Sequence, residues 1–317
     1  MDINSKNIVE YVSGCSQLAL LLESSSYPKP GNVHRIADFE DTKYEHFLAS
    51  SIAVGQAIRE ATKQGIRVAL GDIDYEQIEI GRIIYEATSS MMQWQHGGNT
   101  ILGSILLLVP ISAAAGLTWV KKSNNMKNLR NSLIKITHST TPEDAVYVYD
   151  AIKLSDAGGL GSSDRFDVTK KNSRQEILNS SISLFEIFQI SSEYDTISSE
   201  WVNDFKITFQ IGYPYFLSQI EKYHDCNTAI VHTFLKILSM FPDTLIARKT
   251  DLVRAQEIST AASKALEVGG MTSELGREKL AALDIRLRTR DHRLNPGTTA
   301  DLTCSSLTIA TLNGYRP

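Results

Sequence analysis

Cysteine is scarce in this 317-residue chain, with only three. Cys15, Cys226 and Cys304 stand far apart and fit no CxxC spacing. That argues against structural zinc or a disulfide framework and fits a reducing, cytoplasmic setting. Basic runs are lacking too, and the net charge of -4 gives no reason to expect a nucleic-acid partner. Small anionic ligands stay open, because they need only a local cluster. The first residues, Met1 to Lys6, lack a basic region leading into an apolar one, so no secretory signal is expected. No GxxxxGK[ST] pattern occurs, which removes the P-loop nucleotide binders. Alternating apolar and polar runs bounded by turns are hard to find, which leaves little for a sheet.

Helical periodicity fills the gap. Ile8, Val12, Cys15, Leu18, Ala19 and Leu22 form one stripe, with Ser5 as a plausible N-cap. A second helix is expected over Thr42–Gln64 with Gly65 as its stop, and a third over Glu76–Gln93. Further helices are expected over Asn131–His138, over Pro142–Leu154 capped by Thr141, and over 174–193, 199–221, 225–240, 250–268, 273–288 and 297–313. The segment Ile101–Val120 carries no charge and is about long enough to span a bilayer. It also holds Gly103, Ser104, Pro110, Ser112 and Gly116, and no second such run accompanies it, so it reads as a helix apolar all round and buried in a core. The expectation is an all-α fold: one compact multi-helix domain, residues 1–317, around a buried central apolar helix.

Five polar stretches stand where helices are expected to begin or end, four of them containing glycine or proline and one following Pro242. They are Lys29–Arg35, His96–Thr100, Asp156–Asp167, Asp243–Lys249 and Asn295–Asp301. In the first, Pro28 and Pro30 stiffen the backbone and Gly31 frees it, so Lys29, His34 and Arg35 are presented on a rigid loop suited to an anion. Thr100 and Thr298 or Thr299 open helices, whose free N–H groups attract phosphate. Asp38, Asp41, Asp156, Asp164, Asp167, Asp243 and Asp301 lie in or beside these stretches, and a few converging would bind Mg²⁺ together with substrate phosphates. His34 and His96 are the histidines placed for acid or base work at neutral pH.

Taken together, Pro28-Lys29-Pro30-Gly31 with Arg35, Gly97-Gly98-Asn99-Thr100 with Gly103, Gly158-Gly159-Leu160-Gly161, Asp243-Thr244 with Arg248, and Pro296-Gly297 with Ala300-Asp301-Leu302 resemble the triphosphoribosyl-dephospho-CoA synthases. The resemblance covers most of the chain. It implies an all-helical enzyme that moves the triphosphoribosyl group of ATP to a ribose hydroxyl of dephospho-CoA and releases adenine. It implies small nucleotide substrates, Mg²⁺ at Asp41, Asp243 and Asp301, and proton transfer by His34, Asp41 or Asp301. Substrate contacts are expected at Lys29, Pro30, Gly31, Asn32, Arg35, Gly98, Asn99, Thr100, Gly159, Arg248, Gly297 and Thr298.

The chain departs from that family at two places. Where the family shows a His before an Asp-Met-Asp run, this chain reads Phe39-Glu40-Asp41-Thr42-Lys43 and keeps only Asp41. Where the family continues Asn-Thr with His-Lys-Gly, it reads Ile101-Leu102-Gly103. The loss of two donors leaves open a phosphoribosyl transferase using an activated ribose phosphate and another acceptor, such as a pterin-type cofactor precursor. A non-catalytic nucleotide-binding protein and a membrane-associated helical protein are the readings from other classes.

Overall fold

The structure, a computed structural model, describes residues 5–121, 125–160 and 165–317. Among them there is no strand, only an isolated bridge between His34 and Ala37, and the fold is all-α. The helices are α1 (Ser5–Ser25), α2 (Tyr44–Ala53), α3 (Gly55–Leu70), α4 (Ile80–Trp94), α5 (Leu102–Val120), α6 (Met126–His138), α7 (Pro142–Leu154) and α8 (Ser173–Ser180). They continue as α9 (Leu184–Ser191), α10 (Thr196–Val202), α11 (Tyr213–Tyr223), α12 (Cys226–Met240), α13 (Thr244–Lys249), α14 (Leu252–Glu267), α15 (Glu274–Leu287) and α16 (Gly297–Leu312).

The charge-free helix α5 is the centre of the molecule, with every residue from Ser104 to Thr118 buried. It is long and apolar enough to cross a membrane, but the surrounding helices already cover it, as expected of a core helix. Pro110 sits inside it and cannot donate to the Leu106 carbonyl one turn back. That carbonyl instead accepts from Nε1 of the fully buried Trp201 at 3.1 Å, so the interruption costs no unsatisfied group. A second buried helix, α16, runs beside α5, and its hydroxyls solve the same problem differently. Ser306, Thr308 and Thr303 donate back to carbonyls one turn earlier on α16.

Glycine sets the closest helix contact. A Cβ at Gly65 would stand 1.9 Å from the Ala113 carbonyl oxygen, and one at Gly116 would stand 2.2 Å from that of Thr62, so α3 and α5 touch backbone to backbone. This corrects the expected helix stop at Gly65: α3 runs on to Leu70, and Gly71, at φ 81°, is the left-handed cap. Other expected boundaries also move. The helix expected over 42–64 breaks at Val54, and that expected over 174–193 breaks at Ser181 before Ser183 caps α9. The one expected over 199–221 is split after α10, where the Glu200 carboxylate accepts the Ile207 and Thr208 amides at 2.6 and 2.9 Å. Ser5 is the first helical residue of α1, and the position that would cap it lies outside the described residues. At α7 the expectation holds: Thr141 and Asp144 cap one another, and Asp144 also accepts from the Gly81 amide at 2.7 Å, fastening α7 to α4.

Two apolar clusters result, a large one around α1, α3–α7 and α16, and a smaller one of α12–α15 that includes Phe234, Ile258 and Leu283. The loops that enter α5, leave α7 and enter α16, together with α13, share one rim of this assembly.

Candidate active site

On that rim lies a cleft of about 720 Å³. All five polar stretches reach it. Asn32 comes from the first, Gly97 to Thr100 from the second, Asp156, Gly158 and Gly159 from the third, Arg248 and Lys249 from the fourth, and Gly297, Thr298 and Asp301 from the fifth. Gly161 and Asp164 lie outside the described residues. The stretches are tied to one another. Asn32 Nδ2 donates to Asn295 Oδ1 at 3.0 Å, the Thr42 hydroxyl donates to the Gly97 carbonyl at 2.9 Å, and the Thr100 and Ser50 hydroxyls are 2.7 Å apart. Thr100 therefore precedes the helix entrance and braces it, while Asn99 Oδ1 accepts the Leu102 amide at 3.1 Å.

Asp301 is the chemical centre. Its Oδ1 accepts from the Ser104 hydroxyl at 2.6 Å, and its Oδ2 lies where a side chain at Gly103 would be, 2.1 Å from that Cβ position. The carboxyl is packed in protein yet faces the cleft. Burial raises it to about 7, the negative charge of Glu23 adds to the rise, and the Ser104 hydroxyl only partly opposes them. A carboxyl poised there can take or give a proton at neutral pH.

Much of the first loop proves to be scaffold. Lys29 is fully buried with its Nζ 2.5 Å from Glu23 Oε1. Burial pushes Lys29 down and Glu23 up, and their mutual attraction resists both shifts. The expected anion contact at Lys29 is thus corrected: its charge is already spent on Glu23, whose side chain does line the cleft. Pro30 and Gly31 are buried off the cleft, where the Gly31 amide donates to Asp284 Oδ1 at 2.8 Å. His34 is corrected as well. It is 2 % exposed, burial and then Arg288 push it down to about 4, and its Nε2 accepts from Arg288 at 3.1 Å, so it is neutral and outside the cleft. Arg35 is exposed over the Tyr27 ring at 4.3 Å, away from the cleft, and His96 is exposed beside it without lining it.

Asp243 is a double cap rather than a ligand. Its Oδ1 accepts from the Leu245 and Ile246 amides at 2.9 and 3.2 Å, and its Oδ2 from the Thr299 amide and hydroxyl at 2.7 and 2.8 Å. All four donors are spent on joining α13 to α16. Asp41 lies exposed at the mouth, 3.5 Å from His292 Nε2. Among the described residues no three His, Cys, Asp or Glu side chains gather as a three-carboxylate centre would require. The expected centre of Asp41, Asp243 and Asp301 therefore does not fit a protein-held Mg²⁺.

Several cleft residues carry no sequence signal of their own. His292 stacks on Phe39, ring centroids 3.9 Å apart at 17°, and its Nδ1 is shielded without a partner. Asp195, which caps α10, also pairs with Arg248. Only the run of charged residues over Arg288–Arg293 could have marked that turn, and such a run reads first as solvated surface.

Comparison with known proteins gives one consistent result. The sequence model of a family described as "CitG: ATP:dephospho-CoA triphosphoribosyl transferase" matches residues 9–317. A Pseudomonas fluorescens protein named "Probable 2-(5''-triphosphoribosyl)-3'-dephosphocoenzyme-A synthase" is 25% identical over 306 residues, covering 96% of this chain and 91% of its own. A Salmonella choleraesuis protein named "Probable 2-(5''-triphosphoribosyl)-3'-dephosphocoenzyme-A synthase 1" is 22% identical, covering 92% of this chain and 87% of its own. A crystal structure of a candidate triphosphoribosyl-dephospho-CoA synthase from Archaeoglobus fulgidus superimposes with a TM-score of 0.61 and 26% identity, over 85% of this chain and all of that one.

Proposed function

Because the chain belongs to the ATP:dephospho-CoA triphosphoribosyl transferase family, we propose that the five-loop cleft is where it carries out that family's reaction, with Asp301 as the base. The activity is transfer of the triphosphoribosyl group of ATP to dephospho-CoA. The observation that carries the assignment of Asp301 is its carboxyl, raised to about 7 and turned into a cleft to which all five stretches contribute.

The bond between C1′ of the ATP ribose and N9 of adenine breaks, and its electron pair leaves with the base. A ribose hydroxyl of dephospho-CoA forms the new C1′–O bond and gives its proton to the Asp301 carboxylate, while adenine takes up a proton as it departs. Net, one proton passes from the hydroxyl to adenine. The Phe39–His292 stack offers the departing base a flat apolar face, and His292, beside Asp41, is the candidate donor of its proton. Asn32, Gly98, Asn99, Thr100, Gly159, Gly297 and Thr298 supply the cleft wall, with Arg248 fixed by Asp195. Mg²⁺ belongs here to the substrate, travelling with the triphosphate, whose oxygens provide most of its coordination. The cleft draws on residues from Leu20 to Asp301, which supports reading residues 1–317 as one functional unit.

The test is adenine release from MgATP with and without dephospho-CoA. Acceptor-dependent adenine with a product heavier than dephospho-CoA by a triphosphoribosyl group is expected. Adenine release that ignores dephospho-CoA, or appears only with a different acceptor, would overturn the proposal.

A further inference from the structure

Four cleft-lining side chains are basic: Arg165, Arg248, Lys249 and His292. Arg248 is paired with Asp195, Arg165 lies over the Phe166 ring at 4.8 Å, and His292 is stacked on Phe39 beside Asp41. Lys249 differs from all three. Its ammonium has no carboxylate within ion-pair distance among the described residues and no hydrogen-bond acceptor, although the side chain is half-buried. Burial pushes it down, and the charge of Arg248 next to it pushes the same way, while the more distant carboxylates of Asp243, Asp291 and Asp41 only partly oppose them.

Its stem is held by the third stretch. A Cβ placed at Gly158 would be 3.3 Å from Lys249 Cε, and one at Gly159 would be 3.2 Å from its Cγ, so the side chain lies along this glycine pair. Gly159 itself sits at φ 73°, where glycine is favoured. An ammonium that is partly desolvated and, among the described residues, has no carboxylate in direct contact is costly, and an anion arriving in the cleft offsets that cost. Resting on the transferase reading of the cleft, we propose that Lys249 is the cation that binds the triphosphate of the donor, with Gly158-Gly159 as the groove that aims it. This places phosphate binding on a residue that the resemblance to the family did not single out, and takes it away from Lys29 and Arg35.

The experiment measures binding of ATP, inorganic tripolyphosphate and adenosine to the full-length protein and to Lys249→Met, Lys249→Gln and Lys249→Arg. A charge-assisted phosphate contact predicts that Lys249→Met and Lys249→Gln weaken ATP and tripolyphosphate by about 10- to 100-fold and leave adenosine unchanged. Lys249→Arg should retain most of the phosphate affinity. The assignment is overturned if either neutral variant, with wild-type melting temperature, binds tripolyphosphate as the wild type does, or if adenosine weakens as much as ATP. The two neutral variants differ in stem packing, so misfolding of one leaves the other to decide. Wild-type acceptor-dependent adenine release alongside unchanged phosphate binding by the variants would sink the Lys249 assignment alone. A wild type that neither binds ATP nor releases adenine would sink the transferase reading with it.

Discussion

Replacing Asp301 by asparagine separates the chemistry of the cleft from its architecture. Asparagine keeps the oxygen that accepts from the Ser104 hydroxyl at 2.6 Å and has nearly the same shape over Gly103, so the loop should stay in place. What disappears is the titration. In the wild type the carboxyl is raised from 3.8 to about 7. Between those values the native state holds a proton that the unfolded chain has released, so this group makes stability fall as pH rises through the window. At 1.36 kcal/mol per unit the accumulated penalty above pH 7 is at most about 4 kcal/mol. Urea unfolding at pH 5 and pH 8 should therefore show Asp301→Asn gaining stability relative to wild type at the higher pH. Acting as base, the wild type should show kcat/KM for adenine release rising through a limb near pH 7. The variant should lose that limb and about 10²–10⁴ of the rate. A limb that survives in the variant, or a stability difference indifferent to pH, would refute the role given to Asp301.

Three further outcomes test the packing that holds the cleft. Trp201→Phe leaves the Leu106 carbonyl beside Pro110 without a donor and should cost about 1–3 kcal/mol in denaturant unfolding. Lys29→Met leaves the largely buried Glu23 carboxylate without its partner and should cost about 3–5 kcal/mol, whereas the double variant Lys29→Met/Glu23→Leu should recover much of it. Gly65→Ala drives a methyl to 1.9 Å from the Ala113 carbonyl and should lower stability by about 1–3 kcal/mol through forced separation of α3 and α5, read as a lowered melting temperature.

The parts of the fold that a sequence can encode locally were legible in it. The charge-free run predicted α5 as the buried centre, and Thr141-Pro142 marked the start of α7. Glycine and proline clusters marked four of the five stretches that meet at the cleft, because such residues break helices wherever they fall, whereas Asp243–Lys249 is the short helix α13 and its cap. What was not legible depends on partners far along the chain. Lys29 looked like a presented cation because nothing local says that a carboxylate six residues earlier will be buried against it. Gly65 looked like a stop because the approach of Ala113 is a tertiary event. Asp243 looked like a ligand, and its four donors come partly from Thr299, 56 residues away. Nothing local distinguishes Lys249 from Arg248, since which of two neighbouring cations finds a carboxylate is decided by Asp195 at the cap of α10.

The most direct test of the account is a crystal structure with dephospho-CoA and an ATP analogue whose base is joined to the ribose through carbon, so that the bond cannot break. The account predicts the analogue in the five-loop cleft, with the acceptor hydroxyl within hydrogen-bond reach of Asp301 and close to C1′. A nucleotide bound outside that cleft, or with C1′ and the acceptor hydroxyl both remote from Asp301, would contradict it.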